Sequence, residues 1–523
     1  MYTTNGESLD WNSNAFLYYT RSFNKQHNLN VSAGWEAASG TTESTNAHYR
    51  GFPSGEFHSL NYAAEVYKKP TRTENTTRRV SVLASANYTW NDIYLVDASV
   101  RFDGSSEFGA NQKWAPFFSG GLGVNIHNYD FFKSNGYINK LKLRASYGRT
   151  GKVNFPAYAA TTMYETLFDE WYITGYGAVL KALGNKDLTW EKTDKLSVGI
   201  ETKTFHDRLT VDFEYYYNKT IDLVNDVTLS QTSGFSTYKD NMGQVANKGV
   251  ELKLRADIYR DRNWNVALWG NMAHNKNEIL KISDSQKAYN ERVAAYYKNE
   301  ALYQETLGLS HGAEYSVPLP QYEEGASLTS IWAVRSLGID PTTGKEIFLN
   351  RDGSIADKWN AAQEVVVGNT EPKCSGAFGL NLSYKNWTLF ASFLYEWGGQ
   401  EYNQTLVNNV ENADLVNKNV DLRVLTDRWK KPGDIAQFKD IKDRGMTTLP
   451  TSRFVQDKAL VRLNSLNVSY DFNRDWIKKH LRMNLLRLEA STSDLINWSS
   501  IKQERGLSYP RSWKVEFSLK AQF

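Results

Sequence analysis

Residues 80–90, VSVLASANYTW, place Val80, Val82, Ala84, Ala86, Tyr88 and Trp90 on one side of an extended chain and Ser81, Ser85, Asn87 and Thr89 on the other. Successive side chains of a strand point to opposite faces, so this two-residue period demands a strand with one apolar face and excludes an amphipathic helix. The period recurs along the whole chain. Val96, Ala98, Val100 and Phe102 alternate with Asp97, Ser99, Arg101 and Asp103. Val211, Phe213, Tyr215 and Tyr217 oppose Asp212, Glu214 and Asn218, and Val250, Leu252, Leu254, Ala256 and Ile258 oppose Glu251, Lys253, Arg255 and Asp257. About fifteen such strands can be counted, which makes the chain all-β. The 31 Tyr, 24 Phe and 16 Trp beside only 6 Met suit strands and turns better than helices.

The links between strands alternate in length. Short ones fall near Asn24 to His27, at Asn91 and Asp92, at His206 and Asp207, at Asp261 to Asn263 and at Lys385 and Asn386. Between them lie long excursions over 40–78, 150–190, 220–246, 275–372 and 397–455, rich in Asn, Thr, Gly, Tyr and Lys. Short turns therefore lie at one end of the strands and long loops at the other, as in an antiparallel up-and-down barrel of an outer membrane. A barrel also reconciles membrane residence with a mean hydropathy of −0.56, because only every second residue meets lipid. A soluble sandwich or propeller, its apolar face packing a core, is the rival architecture. Within 275–372, SIWAVRSLGIDPTTGKEIFL reads as two short strands around a turn at Asp340 to Lys345. Assigning that hairpin to a loop preserves strand parity and leaves the C-terminus on the short-turn side.

Composition removes several function classes. With 61 basic against 58 acidic residues there is no basic excess of the kind a nucleic-acid surface needs. A single cysteine, Cys374, permits neither an internal disulfide nor a thiolate metal cluster. The eight histidines are scattered, with no HExxH and no GxSxG, so no hydrolase is expected. GGLGVN at 120–125 lies inside an alternating strand and does not open a helix, against a phosphate loop. FLNRDGSIADKW at 348–359 mimics a calcium loop, but Phe348 and Trp359 occupy its first and last ligand positions, which leaves an Asn-Asp-Gly turn. Asp103 with Gly104, Ser105 and Ser106 reads as a polar turn. Neither a metal nor a cofactor is expected.

Several stretches together resemble a known family. RFDGSSEFG (101–109), LKLRASYGRTG (141–151), LTWEKTDKLSVGIE (188–201), NMGQVANKGVELKL (241–254), RWKKPGD (428–434), SRFVQDKALVRLNSLNVSY (452–470) and the terminal YPRSWKVEFSLKAQF are similar, in order and spacing, to the C-terminal part of SusC-like, RagA-like TonB-dependent outer-membrane transporters of Bacteroidetes. The resemblance implies that residues 1–523 are the later part of a barrel of about 22 strands, which encloses a plug. It implies import of glycans or peptides, a SusD-like surface lipoprotein as partner, coupling to a TonB complex through a plug region, and an outer-membrane location. Family members carry a signal peptide, a TonB box and a plug ahead of the barrel, and none is found in this sequence. The expected readings are a fragment of a longer product, one half of a split transporter, or a smaller closed barrel. The rival functions are a surface-binding remnant and a soluble carbohydrate-binding β-protein. Phe523, the last residue, resembles the terminal aromatic that marks barrels for insertion. Loop aromatics Trp171, Tyr172, Tyr176, Tyr238, Trp332 and Trp397 offer flat apolar faces with polar edges, suited to sugar rings or peptide side chains.

Overall fold

The structure is a computed structural model and describes residues 2–53, 59–133, 136–153, 155, 157–173, 175–228, 237–241, 243–415, 420–502 and 513–523. Within its strands and helices, the side chains of 133, 168–172, 176, 225–228, 237–238, 444–445 and 474 also lie outside the described set. Among the described residues twenty-four strands follow in order: β1 Tyr2–Phe23, β2 His27–Arg50, β3 Glu65–Trp90, β4 Tyr94–Ser105, β5 Trp114–Asn125, β6 Ile138–Lys152, β7 Met163–Tyr172 and β8 Gly175–Ala182. Next come β9 Glu191–Thr204, β10 Leu209–Ile221, β11 Val224–Thr228, β12 Thr237–Asn241, β13 Gln244–Arg260, β14 Trp264–Lys281, β15 Ser330–Ile339 and β16 Glu346–Leu349. The rest are β17 Ile355–Ala356, β18 Glu364–Asn369, β19 Cys374–Tyr384, β20 Trp387–Tyr402, β21 Val455–Asp471, β22 Leu485–Thr492, β23 Asn497–Ser499 and β24 Val515–Gln522.

Sixteen strands form one sheet in the order β1-β2-β3-β4-β5-β6-β9-β10-β13-β14-β19-β20-β21-β22-β24, with β23 added beside β21. Neighbours in this order are neighbours in the chain once the loop strands are set aside. That is up-and-down topology, close to the strand count expected from alternation. Tight turns close the short side. Asn91 and Asp92 both have positive φ, 53° and 56°, a turn conformation that matches strand twist and that Asn and Asp tolerate. The short side also holds two longer connections, with short helices at Asp130–Lys133 and Arg474–Leu481. Asn484 N donates to Gln522 O (2.6 Å), so the C-terminus lies beside the second of these, as parity required.

The expected excursion over 40–78 is corrected: β2 and β3 run on as a ladder to Arg50 and Glu65. Alternation is invisible there because both faces are polar, yet cross-strand pairs persist. The Thr41 and Thr76 hydroxyls meet at 3.2 Å and Arg72 pairs with Glu43 at 2.6 Å. The glycine run in β5 does lie in a strand, and there is a packing reason for it: a Cβ on Gly121 would stand 2.4 Å from the Asp97 carboxylate.

The chain divides into two compact units. In the first (Met1–Val124, Ala145–Leu196, Thr220–Gly243), the apolar side of the strands faces outward: Val82, Val100, Phe102, Phe118 and Leu122 are all exposed, Leu122 at 63%. The opposite side is bonded across strands, with Arg101 reaching Glu36 (2.9 Å), Asp103 (2.5 Å) and Ser81 Oγ (2.9 Å). Its loop side closes over a core in which Phe108 stacks on Trp190 at 4.3 Å and Phe117 meets that indole edge-on. In the second unit (Asn125–Arg144, Ser197–Lys219, Gln244–Phe523), Arg144 bridges Asp212 (2.9 Å) and Glu214 (2.6 Å), and Lys140 meets Glu201 (2.6 Å). Exposed apolar rings and ion-paired charges thus occupy opposite faces of single strands.

Adjacent residues of β4 test the assignment of faces. Val100→Arg is expected to cost about 2–4 kcal/mol in lipid vesicles, whereas Ser99→Arg, on the polar face, should cost under about 1 kcal/mol. Urea titrations of folding into vesicles measure both, and equal costs would refute a lipid-facing apolar side.

Candidate functional site

The second unit's long loops fold into a core of their own. A helix, Asp284–Leu307, begins at Ser283, whose side chain accepts from Gln286 N while Gln286 reaches back to Ser283 N. It ends at Gly308, left-handed at φ 66°. Val293, Tyr297 and Glu300 are its buried face, at spacings of one helical side. Sequence reading missed this helix, although the S-D-S-Q box and the terminal glycine were both legible. The hairpin expected at 330–349 is present as a loop element: β15 and β16 join β17 and β18 in a separate four-stranded sheet, order β17-β16-β15-β18. The 350–354 segment is the expected Asn-Asp-Gly turn, with Gly353 at φ 86° and Asp352 accepting from Ser354 N at 2.9 Å. Two further loop hairpins, β7 with β8 and β11 with β12, stand in the first unit.

Arg453 holds the loop core of the second unit together. Its guanidinium donates to Glu346 (Nη2 3.0 Å, Nε 3.2 Å) and to Glu411 Oε1 (2.6 Å), and Thr451 Oγ1 adds a bond to Glu346 at 2.6 Å. The three side chains are 10%, 8% and 0% exposed. Burial alone would push the Glu346 carboxyl up, but the charge and hydrogen bonds of Arg453 outweigh it and hold it below the usual range. Burial works against the Arg453 charge too, and the two carboxylates more than reverse it. Arg428 supports the same knot through backbone oxygens: Lys439 O (2.9 Å), Glu411 O (2.8 Å) and Val410 O. Trp429 Nε1 donates to Pro341 O at 2.8 Å. The stretches RWKKPGD and SRFVQDK, separate in sequence, thus meet in one buried network.

A second buried acid stands apart. Glu364, in β18 opposite Val334, is 2% exposed. One carboxyl oxygen accepts from Gln321 Nε2 at 2.6 Å, and the other has no partner among the described residues. Arg351 nearby spends its donors on the Glu364 backbone carbonyl. Burial therefore dominates and pushes this carboxyl up to about 7.

The proposed ligand aromatics separate. Trp332 lies in the loop sheet: Ile331, Trp332, Ala333 and Val334 are buried consecutively, because β15 is paired on both edges and covered on both faces. Trp397 lies near the end of β20. It is 72% exposed on the row shared by Trp387, Phe393 and Tyr395, just before a bulge at Gly398 (φ 78°). With Phe378, Val461 and Trp498 it lines an outward groove of 360 Å³. The backbones of Trp171, Tyr172, Tyr176 and Tyr238 lie in loop hairpins, and their side chains fall outside the described residues. Phe523 is 79% exposed beyond β24. Among the described residues no cluster of three or more His, Cys, Asp or Glu side chains is arranged to hold a metal.

A cavity of 490 Å³ opens beneath the long helix, against β16, the 357–361 segment and the 439–449 segment. Phe348, Trp359 and Leu449 contribute apolar surface, and Lys345 and Lys439 contribute charge.

The TonB dependent receptor-like, beta-barrel family matches residues 2–485. TonB-dependent receptor P39 of Formosa agariphila is 26% identical over 98% of this chain and 53% of its own length. TonB-dependent receptor SusC of Bacteroides thetaiotaomicron is 29% identical over 46% of this chain and 25% of that protein. Among solved structures, the RagAB peptide importer in its open-open state aligns with a TM-score of 0.82 at 22% identity, over 100% of this chain and 55% of that one. At that identity the likeness is one of fold. The chain spans about half the length of the first curated relatives it matches.

Two substitutions probe the loop core. Arg453→Met leaves Glu346 and Glu411 buried without their cation and is expected to cost about 3–5 kcal/mol, read as lost amide protection over 403–454. Adding Glu346→Gln and Glu411→Gln should restore much of it; no restoration would mean that Arg453 acts by packing alone. Glu364 releases its proton near 4.5 when unfolded and near 7 when folded. The folded state alone holds that proton between these values, so loop stability should fall by about 3 kcal/mol as pH rises through the interval. Glu364→Gln should flatten the fall, measured as protection of 330–369 corrected for intrinsic exchange; identical slopes would show that Glu364 does not titrate there.

Proposed function

The chain belongs to the TonB-dependent receptor-like β-barrel family, and on that premise we propose that it is the barrel part of an outer-membrane importer of oligosaccharides or short peptides. It lies in the outer membrane of a Gram-negative cell. The observation that carries the reading is the division of labour along single strands. Exposed apolar side chains such as Phe102 and Leu122 meet lipid, while Arg101, Arg144 and their carboxylate partners occupy the polar faces of their strands. Above the second unit's strands a folded loop core, pinned by Arg453, is rigid enough to present a binding surface. SusC and RagAB, by name a TonB-dependent receptor and a peptide importer, support the function class.

In this reading the importer draws energy from a TonB complex through a plug region and works with a SusD-like surface lipoprotein, and residues 1–523 form the C-terminal part of its barrel. The family is one of receptors and transporters, and the chain carries no catalytic activity of its own. In this reading the loop aromatics Trp171, Tyr172, Tyr176 and Tyr238 are candidates for contact with substrate, and Phe523 serves as the insertion signal.

Depletion of the chain in its native host, with uptake of labelled oligosaccharides and peptides followed over time, tests the assignment. Uptake of at least one class should fall about tenfold or more and recover on re-expression, and loss of TonB should have the same effect. Unchanged uptake of every class would leave a binding protein in place of an importer.

A further inference from the structure

The 490 Å³ cavity beneath the long helix has the size of a small-molecule site and the make-up of one, an apolar wall with a few polar groups converging on it. Phe348 and Leu449 supply the wall, and Trp359 is fixed by its Nε1 bond to Pro450 O at 2.9 Å. Against that wall stands Lys439, 9% exposed, its Nζ donating to Met446 O at 2.7 Å. It forms no ion pair among the described residues, and burial pulls its pKa down. An ammonium carries three donors and a full charge, so a backbone carbonyl leaves most of its desolvation cost unanswered.

The remaining charges around the cavity narrow the ligand. Four lysines and four carboxylates line it. Lys358 pairs with Glu305, and Glu346 is taken by Arg453. That leaves Lys298, Lys345 and Lys439 as cations, and Asp357 and Asp443 as anions, with no ion pair among the described residues. A neutral sugar would add no counter-charge to these cations beyond the carboxylates of Glu411, Glu346 and Asp443 that already act on Lys439, and a purely anionic ligand would meet Asp357 and Asp443.

We propose that this cavity is a subsite for a short zwitterionic peptide with an apolar C-terminal side chain. The terminal carboxylate sits on Lys439, the side chain lies against Phe348 and Leu449, and the ammonium turns toward Asp357. The inference rests on the import reading and narrows its substrate class to peptides.

Calorimetric titration of the full-length protein, purified in detergent, tests it with three probes: the dipeptide Leu-Leu, its C-terminal amide, and maltose. Leu-Leu should bind, the amide should bind at least about tenfold more weakly, and maltose should give no heat. Lys439→Met should weaken Leu-Leu at least about tenfold. Leu302→Trp fills the mouth of the cavity from a side chain that is 60% exposed, so it spares the core and should abolish binding. Absence of Leu-Leu binding, equal affinity for acid and amide, or binding unaffected by both substitutions would each overturn the subsite. Peptide uptake that persists in cells while Leu-Leu fails to bind removes the subsite and leaves the importer standing. Binding that survives in a protein without uptake does the reverse.

Discussion

A backbone amide in hydrocarbon has no water to turn to, and each unpaired group there costs several kcal/mol. Between its two end strands, the antiparallel ladder from β1 to β24 meets that demand, and the other features are arranged around it. Pairing fixes pleat, and pleat sends neighbouring side chains to opposite faces. Val100 therefore faces outward while its neighbour Arg101 is free to reach Glu36, Ser81 and Asp103. Up-and-down order then separates tight Asn-Asp turns on one side from long segments on the other.

Those long segments leave the sheet and must find a core elsewhere. In the second unit they do so with a capped helix, a small four-stranded sheet and a buried ion network around Arg453. Replacing such a network by apolar residues often costs nothing in stability. Its value here lies in specification: the guanidinium has one geometry that satisfies Glu346 and Glu411 together, and that geometry brings the 346, 411 and 453 segments into a single register. Glu364 and Lys439 are exceptions within this core. Each is buried without the ion pair that Arg453 supplies to its neighbours, and each is therefore held away from its ordinary ionisation.

Much of this was legible before any coordinates. The alternation at 80–90 and 94–105, the Asn-Asp turn between them and the loop hairpin near 340 all stand where their residues placed them. The upper halves of β2 and β3 escaped notice because Thr, Ser, Asn and Arg occupy both faces, and a ladder held by backbone pairing leaves no hydrophobic period to read. Trp332 and Trp397 showed the limit of residue type as a guide: one indole fills the loop sheet and the other flanks an outward groove. Nothing in either local sequence distinguishes the two fates.

The sequence by itself determined the strands that carry a two-residue period, their order and which of their faces is apolar, because that period is a local property of neighbouring side chains. Only the tertiary structure decided that Arg453 would meet Glu346 and Glu411, that Glu364 would lose its counter-charge, and that Lys439 would border a cavity. Those outcomes depend on segments up to 107 residues apart in the chain closing on one another, and burial and charge pairing exist only once they have closed.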